Sequence, residues 1–586
     1  MNPFVFSGAS NLSNEQILNL FIHDYNYSRF IQSKRNFFFW GERGAGKTMT
    51  LLYNKLVMLE NVKTAISNKS AIEYIPVYVS CITPLVFKRE YLLLDNKFKA
   101  SVVSEHYLAL SMALGLIDGL LEIPDIFELI NQDEVKLELD YLLDDVLPEA
   151  SNILKSIKLF LRKQFIQTQR EINSPQSDNF YSDTYTFSSL LIPMMDIFRS
   201  MENMNSVHFV FMMDDAHDLN SDQRESLNSW IAYRDNSTFS FKVSAAKVSE
   251  YSLATTSGGA ILHGHDYVSV NMEQAFQNND SSYGKMATKI ISRRLELAGF
   301  PSDFDPAMFF PLGEKIDEDI TNCRNKARVL AVEKYGDSDK KKINDYIYKY
   351  ARAIYFRERS SKANRVQYSG LETIIHLSSG VIRNLLEPCY VMYEDMISEV
   401  GLDTHISKIT SKTQASVISR MSDSFWARLR HGVDKELPDC TAEQAKQVSN
   451  LFHALADLFR NRLLDPNCSE PRAIAFTISA KTDAIMMELQ PILNLGRSAQ
   501  LLYSRSGTAK DKGAKEDYFV PNRMLWPSRG LDPVGQHARV SIKAERLLES
   551  LQTGKIEYKP RVNQGELSQA KVIEEDRQED MFSGSL

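Results

Sequence analysis

The sequence is poor in cysteine and has no arrangement of cysteines that would hold a zinc ion or a disulfide framework. Its five cysteines are scattered through 586 residues, and none belongs to a Cys-x-x-Cys pair. Reduced, buried thiols are therefore expected. The amino terminus also lacks the basic and apolar regions of a signal peptide. Together these absences predict a cytoplasmic protein.

Long hydrophobic runs and an excess of basic charge are missing as well. The most apolar stretch, residues 107–121, is interrupted by Ser111 and Asp118 and falls short of the roughly 20 residues that cross a bilayer. It is predicted to be a buried core helix, and no membrane contact is expected. The net charge of −7 argues against a generally basic surface for nucleic acid, although a local basic patch would suffice for binding.

Short apolar runs alternate with helical patterns in the first half of the chain, which is typical of a parallel sheet. The predicted strands are residues 36–40, 74–79, 207–213, 239–245 and 267–272. Between the second and third strands, residues 100–200 are predicted to be mainly helical. Because 586 residues exceed what a single hydrophobic core holds, several folding units are expected.

A glycine-rich loop follows the first predicted strand and precedes a helical pattern. It consists of Gly41, Glu42, Arg43, Gly44, Ala45, Gly46, Lys47 and Thr48, with Met49 next in the chain. Its glycines let several backbone N–H groups point into one cavity, and the positive end of the following helix adds to the attraction for phosphate. Lys47 would reach the outer phosphates, and the Thr48 hydroxyl would bind Mg²⁺. The loop therefore predicts that these nine residues bind ATP with Mg²⁺.

The third predicted strand ends in two aspartates, Asp214 and Asp215. The carboxyl end of a parallel strand lies beside the phosphate loop, where Asp214 can hold the metal and its water shell. Asp215 stands where many ATPases have a glutamate that orients the attacking water, and it is one methylene shorter. Because a displacement of about 1 Å can cost on the order of 100-fold in rate, slow hydrolysis is expected. The alternative is that the two aspartates only cap a helix.

In the order of its elements the sequence resembles the AAA+ superfamily, and within it the initiator and clamp-loader ATPases of the origin-recognition branch. The motifs that carry the resemblance are residues 41–48, Asp214-Asp215-Ala216-His217, residues 239–245 and residues 379–386. The resemblance covers roughly residues 10–270 and 340–550. It extends to switch ATPases of the STAND type and suggests a bacterial origin.

The resemblance implies a fold and a division of the chain. Residues 1–275 would form a parallel-sheet α/β P-loop ATPase domain, with a helical insertion at about 95–200. Residues 276–395 would form an all-α lid, and residues 396–558 a winged-helix-like domain. The polar, acidic residues 559–586 are predicted to be a disordered tail.

The resemblance also implies roles for residues outside the two main motifs. Ser244 corresponds to a polar sensor of the γ-phosphate or the attacking water, although a buried serine satisfied by backbone is a close alternative. Arg383 resembles a second sensor arginine that bridges the γ-phosphate from the lid, with an ordinary surface arginine as its alternative. Arg234 lies where relatives project an arginine finger into a neighbouring subunit, and a cation at a helix end is an equal alternative. Arg293 and Arg294 are weaker candidates for the finger. The predicted catalytic group is Lys47, Asp215, Ser244 and Arg234.

Near the carboxyl terminus, residues 501–503 and 518–520 flank a Gly/Lys-rich turn and are predicted to form a hairpin. The charged side chains of residues 503–518 leave a single net positive charge. A wing of this kind can lie along a DNA backbone, and contact with a protein is the rival interpretation. The following helix is predicted at about residues 542–551.

Three functions are consistent with the sequence. The first is a nucleotide switch that assembles into an oligomer, engages double-stranded DNA or a partner protein, and resets by slow hydrolysis. The second is a STAND-like signalling ATPase of bacterial antiviral defence that acts through a separate effector protein, because the chain has no nuclease, protease or deaminase motif. The third is a nucleotide-binding scaffold without meaningful hydrolysis.

Overall fold

The structure, a computed structural model, divides the chain into two compact units. It describes residues 2–5, 8–23, 27–81, 97–143, 146–173, 184–233, 237–246, 251–272, 280–360, 366–401, 404–437, 440–508, 515–535 and 538–560. The N-terminal unit is formed by residues 7–275. The C-terminal unit is formed by residues 276–586 together with residues 1–6, which were expected in the N-terminal part.

The N-terminal unit is built on a five-stranded parallel sheet with the strand order β2-β3-β4-β1-β5. Its strands are β1 (Phe37–Trp40), β2 (Tyr74–Ser80), β3 (His208–Asp214), β4 (Phe239–Ala245) and β5 (Val268–Asn271). All residues of β1, β3 and β4 are buried, as expected for strands covered on both faces. The strand β2 lies at an edge of the sheet, where Pro76 is tolerated because its missing N–H need not pair. The five predicted strands are confirmed, and their ends differ from the prediction by one residue at most.

Helices cover both faces of this sheet. They are α1 (Asn14–Leu20), α2 (Ser28–Ile31), α3 (Lys47–Ser67), α4 (Lys97–Leu121), α5 (Gln132–Leu143), α6 (Ile153–Ile172), α7 (Ile192–Arg199) and α8 (Ser221–Ile231). The predominantly helical character of residues 100–200 is thus confirmed wherever the structure describes them. The polar stretch predicted near residues 173–183 lies almost wholly outside the described residues.

Helix α4 is the one helix among the described residues that is long and apolar enough to cross a membrane. Two thirds of its most apolar window is buried inside the protein. Two glycines bring it against β2, because a Cβ at Gly115 would lie 2.9 Å from the carbonyl oxygen of Tyr78, and one at Gly119 would lie 2.9 Å from that of Pro76. This close approach supports the prediction of a buried core helix.

The C-terminal unit combines helices with a second, four-stranded sheet. Its helices are α9 (Asp280–Leu297), α10 (Pro306–Phe309), α11 (Glu314–Tyr335), α12 (Lys340–Ser360), α13 (Leu371–Leu377), α14 (Ile382–Val400), α15 (Ser411–His431), α16 (Val433–Glu436), α17 (Ala442–Leu464), α18 (Asp483–Ser498) and α19 (Ala544–Thr553). Its strands are β6 (Ala475–Ser479), β7 (Leu502–Thr508), β8 (Lys515–Pro521) and β9 (Arg539–Lys543). The predicted hairpin is confirmed as the antiparallel pair of β7 and β8, and β6 extends the sheet beside β8.

A cluster of charged side chains joins α12 to the segments next to the strands of the second sheet. Its members are Arg352 in α12, Arg472 before β6, and Asp532 between β8 and β9. Arg352 donates two hydrogen bonds to Asp532, at 2.9 and 2.8 Å, and Arg472 donates a third at 3.0 Å. Burial alone would raise the pKa of Asp532, but Arg352 and then Arg472 outweigh it, so this pKa lies well below its usual range. The carboxylate therefore stays charged and holds the helical and sheet-bearing parts of the C-terminal unit together.

Candidate active site

The glycine-rich loop begins directly after β1 and runs into α3. Gly44 and Gly46 adopt positive φ angles of 85° and 93°, which only glycine takes up without strain, and Gly46 is the residue that caps α3. The side chain of Lys47 turns back over the loop, where its Nζ donates hydrogen bonds to the carbonyl oxygens of Gly41 at 2.9 Å and Glu42 at 3.1 Å. The backbone thus forms a cradle at the amino end of a long helix, with a buried lysine above it.

The two aspartates and Ser244 meet at the same edge of the sheet, because β3 and β4 are parallel neighbours. The Ser244 hydroxyl donates to Oδ1 of Asp214 at 2.5 Å and accepts the backbone N–H of Asp215 at 2.9 Å. Ser244 is fully buried and Asp214 is 2% exposed. One hydroxyl therefore fixes the position of both acidic residues, so Ser244 is not satisfied by backbone alone.

Asp215 has a strained backbone and a carboxyl group whose pKa is raised toward neutral pH. It lies in the left-handed region at φ 54° and ψ 43°, and its side chain makes no capping hydrogen bond to the short helical turn that follows. Burial, followed by repulsion from Asp214, raises the pKa of Asp215 to about 6, although Lys47 acts in the opposite direction. Strain of this kind concentrates at functional sites, and these observations do not favour helix capping as its role.

Tyr78 is a member of the site that sequence reasoning missed. Its hydroxyl donates to Oδ2 of Asp214 at 2.8 Å, and burial together with the nearby Asp214 raises the pKa of Tyr78 well above its usual range. Asp214 thus receives a neutral donor on each oxygen. The only signal in the sequence was the place of Tyr78 near the carboxyl end of β2, the strand that pairs with β3.

His217 and Asp218 extend the site from the acidic pair toward the glycine-rich loop. The backbone N–H of Ala246 donates to Nδ1 of His217 at 3.3 Å, and this nitrogen lies 3.9 Å from Oδ1 of Asp215. Burial lowers the pKa of His217 to about 4 despite the opposing effect of Asp218, so the ring is neutral at neutral pH. Arg43 of the loop lies 3.7 Å from Asp218. The loop and the acidic segment are therefore linked by side chains as well as by the sheet.

The remaining predicted residues are not all in this group. Thr48 and Met49 lie half-buried in the first turn of α3, whereas Arg234 falls outside the described residues. Arg383 is exposed in the first turn of α14, in the C-terminal unit. Arg294 donates to the carbonyl oxygens of Pro3 and Val5, which occupies its guanidinium within its own unit and weakens its case as a finger.

The residues present suit Mg²⁺ with ATP. Magnesium takes oxygen ligands and is commonly held by one or two carboxylates together with substrate phosphates, and the Thr48 hydroxyl and Asp214 carboxylate match that preference. The described residues contain no cluster of three or more His, Cys, Asp or Glu side chains that would form a protein-only metal cage. A glycine-rich loop at a helix start, a lysine and one buried carboxylate are the features expected of a P-loop ATPase.

The chain belongs to the ORC-CDC6-like family, whose model matches residues 2–542. It is therefore a member of a family of AAA+ ATPases, in agreement with the central parallel sheet. A comparison with curated proteins found no match.

Two features of the segment expected to be a winged helix bear on the kind of partner it would contact. A single helix, α18, lies between β6 and β7, and its exposed side carries Met487 at 78% exposure. Arg505, one of the basic residues expected on the hairpin, is only 7% exposed and donates to the carbonyl oxygen of Ser379. Lys510 and Lys512 lie outside the described residues. Among the described basic residues of the hairpin, Arg505 thus offers little charge to a partner.

Proposed function

We propose that this protein is an ATP-dependent molecular switch that binds ATP with Mg²⁺ and hydrolyses it slowly. The observation that carries the proposal is the contact of one serine hydroxyl with both acidic residues beside the glycine-rich loop. A scaffold that only gripped phosphate would need the loop but not this buried arrangement of Asp214, Asp215 and Ser244.

Each residue has a role in the proposed reaction. The loop N–H groups and Lys47 would bind the phosphates, and Thr48 and Asp214 would hold a Mg²⁺ ion, whose chemistry is to neutralise charge on phosphate oxygens. Asp215 orients the water that attacks the γ-phosphate, and Ser244 fixes the direction of Asp215 through its backbone. From the family resemblance we further propose that Arg383 senses the γ-phosphate and that Arg234 acts as a finger in a neighbouring subunit.

Slow turnover follows from the shape and charge of Asp215. Its side chain is one methylene shorter than the glutamate usual at this place, and its pKa of about 6 leaves a minority of molecules protonated at neutral pH. Both effects lower the fraction of time in which water is correctly oriented. A slow ATPase suits a switch that resets after use.

The switch would control oligomerisation and the engagement of DNA or a protein. The exposed methionine of α18 and the inward direction of Arg505 favour a protein partner at the C-terminal unit. This observation supports the alternative function, a STAND-like signalling ATPase of bacterial antiviral defence that acts on a separate effector. A winged helix in contact with double-stranded DNA remains the rival prediction.

The test measures binding of a fluorescent ATP analogue and release of phosphate, with and without duplex DNA. We expect Lys47→Ala to abolish binding, whereas Lys63→Ala on the exposed side of the same helix leaves it intact. We expect Asp215→Asn to bind nucleotide normally and to lose turnover. If Lys47→Ala binds ATP like the unmodified protein, the nucleotide site is wrong; if Asp215→Asn retains its rate, the role of Asp215 is wrong. DNA would be favoured over a separate effector as the partner if two results are found together. Duplex DNA should stimulate phosphate release, and reversing the charges of Lys510, Lys512 and Lys515 should abolish that stimulation.

A further inference from the structure

The helical insertion of the N-terminal unit exposes an apolar ridge on α5. This helix is buried along one stripe only, formed by Val135, Leu139 and Leu143. On the opposite side Leu137 is 73% exposed and Tyr141 is 90% exposed. Residues four apart lie on one face of a helix, so these two large side chains form one continuous patch.

The patch formed by Leu137 and Tyr141 is bordered by negatively charged side chains. Asp133, Glu134 and Glu138 are all exposed, and at 100° per residue they fall on the two sides of the line between Leu137 and Tyr141. We call these five residues the acidic ridge. Exposing Leu137 and Tyr141 to water does not stabilise α5. An exposed apolar patch of this kind indicates a surface that contacts a partner.

Helix α6 carries the complementary surface. Leu159 is 48% exposed and Ile166 is 55% exposed, and their spacing of seven residues places them on one face. Lys155, Arg162 and Arg170 are exposed on the same face. We call these five residues the basic ridge, and α6 as a whole buries its other side through Ile157, Phe160, Leu161 and other apolar residues.

The two ridges cannot cover each other within one copy of the chain. Each lies opposite the buried stripe of its own helix, and the buried stripes are the sides on which the helices face the interior of the unit. Both have an apolar centre with charges at its border, and the charges are of opposite sign. Contact between them would remove two apolar patches from water and would place each carboxylate near a cation.

We propose that the acidic ridge of α5 docks on the basic ridge of α6 in a second copy of this chain. Duplex DNA would attract the basic ridge, but its phosphates would repel the carboxylates of α5 and leave Leu137 and Tyr141 in water. A second copy satisfies both ridges at once. The proposal concerns a surface separate from the phosphate-binding loop and does not depend on ATP hydrolysis.

The test uses two charge-reversed full-length variants and their mixture. The first, Glu134→Lys with Glu138→Lys, makes both ridges positive, and the second, Lys155→Glu with Arg162→Glu, makes both negative. We expect each variant alone to associate about 100-fold more weakly than the unmodified protein, and an equimolar mixture to associate again. Analytical ultracentrifugation at low and high salt gives the dissociation constants, and the unmodified protein should dissociate as salt rises.

A matched control reverses two exposed charges on α11, Lys315→Glu with Arg328→Glu, and should leave association unchanged. All three variants should keep the ATP-analogue affinity of the unmodified protein, which separates this proposal from that for the nucleotide site. The proposal is wrong if the unmodified protein is monomeric with and without ATP, or if the mixture does not restore association. It is also wrong if reversal on α6 abolishes DNA binding while reversal on α5 leaves association intact, since the basic ridge would then serve nucleic acid.

Discussion

Replacing Ser244 by alanine tests whether one hydroxyl organises the acidic pair. The substitution removes a hydrogen bond to the Asp214 carboxylate and leaves the N–H of Asp215 without its acceptor. A hydrogen bond to a charged group contributes about 1.5–3 kcal/mol. If that energy holds the acidic pair in its reactive position, its loss corresponds to a decrease in kcat of about 10- to 150-fold. The assay is phosphate release at saturating Mg²⁺ and ATP, with the affinity for an ATP analogue measured in parallel.

The same strand supplies the control. Ser240 is also fully buried, and its hydroxyl contacts His208 and Lys242, away from the acidic pair. Both Ser240→Ala and Ser244→Ala should lower the melting temperature, but Ser240→Ala should not change kcat to a comparable extent. Ser244→Thr, which keeps a hydroxyl, should recover part of the rate. The reasoning fails if folded Ser244→Ala protein turns over at the normal rate, or if both alanine variants lose the same fraction of kcat.

Further expected results concern acidity and packing. Because burial and a neighbouring carboxylate raise the pKa of Asp215 to about 6, kcat/KM should fall as pH drops through about 6. ATP binding to the Asp215→Asn variant supplies the correction for titration of ATP itself, and a flat corrected profile would contradict this assignment. Gly115→Ala would place a Cβ 2.9 Å from a carbonyl oxygen of β2 and should cost about 1–3 kcal/mol of stability. Gly284→Ala in α9, which meets no atom within 4 Å, should be neutral or stabilising by up to about 1 kcal/mol; equal melting temperatures for the two variants would refute the close contact. Asp532→Asn would leave the buried Arg472 and the half-buried Arg352 without their carboxylate and should cost about 3–5 kcal/mol, unlike the exposed control Asp337→Asn. Since the pKa of Asp532 is depressed in the folded state, its contribution is present above the usual carboxyl range and is lost as pH falls below it, which thermal unfolding across pH would reveal.

The strands of the N-terminal unit could be predicted because each is an apolar run bounded by polar residues. The glycine-rich loop and the acidic pair were visible for a similar reason, since each is a local pattern of residues. The place of Ser244 followed only from the resemblance, and its two hydrogen bonds depend on the parallel pairing of β3 and β4. Tyr78 and His217 reach the site through pairing and loop conformation, which no local pattern encodes.

The C-terminal unit was less accessible to prediction. The hairpin could be predicted because its turn is rich in glycine and lysine, whereas β6 and β9 were not predicted. These two strands pair with each other although residues 480–538 lie between them in the chain, so neither carries a local signal of its partner. Counting charges on the hairpin also assumed that every basic residue points outward, and Arg505 does not.

The left-handed backbone conformation of Asp215 suggests why this site would act as a switch and not as a fast motor. A non-glycine residue in the left-handed region costs of order 1–3 kcal/mol, and here the cost is offset locally by the hydrogen bond from its N–H to Ser244. The Ser244 hydroxyl that accepts this bond also donates to Asp214, the proposed metal ligand. A change in the charge around Asp214 on binding a metal ion would therefore alter the hydrogen bond that holds Asp215 in place. On our proposal, metal binding at Asp214 would therefore act on Asp215 through Ser244, which links turnover to the occupied state of the site.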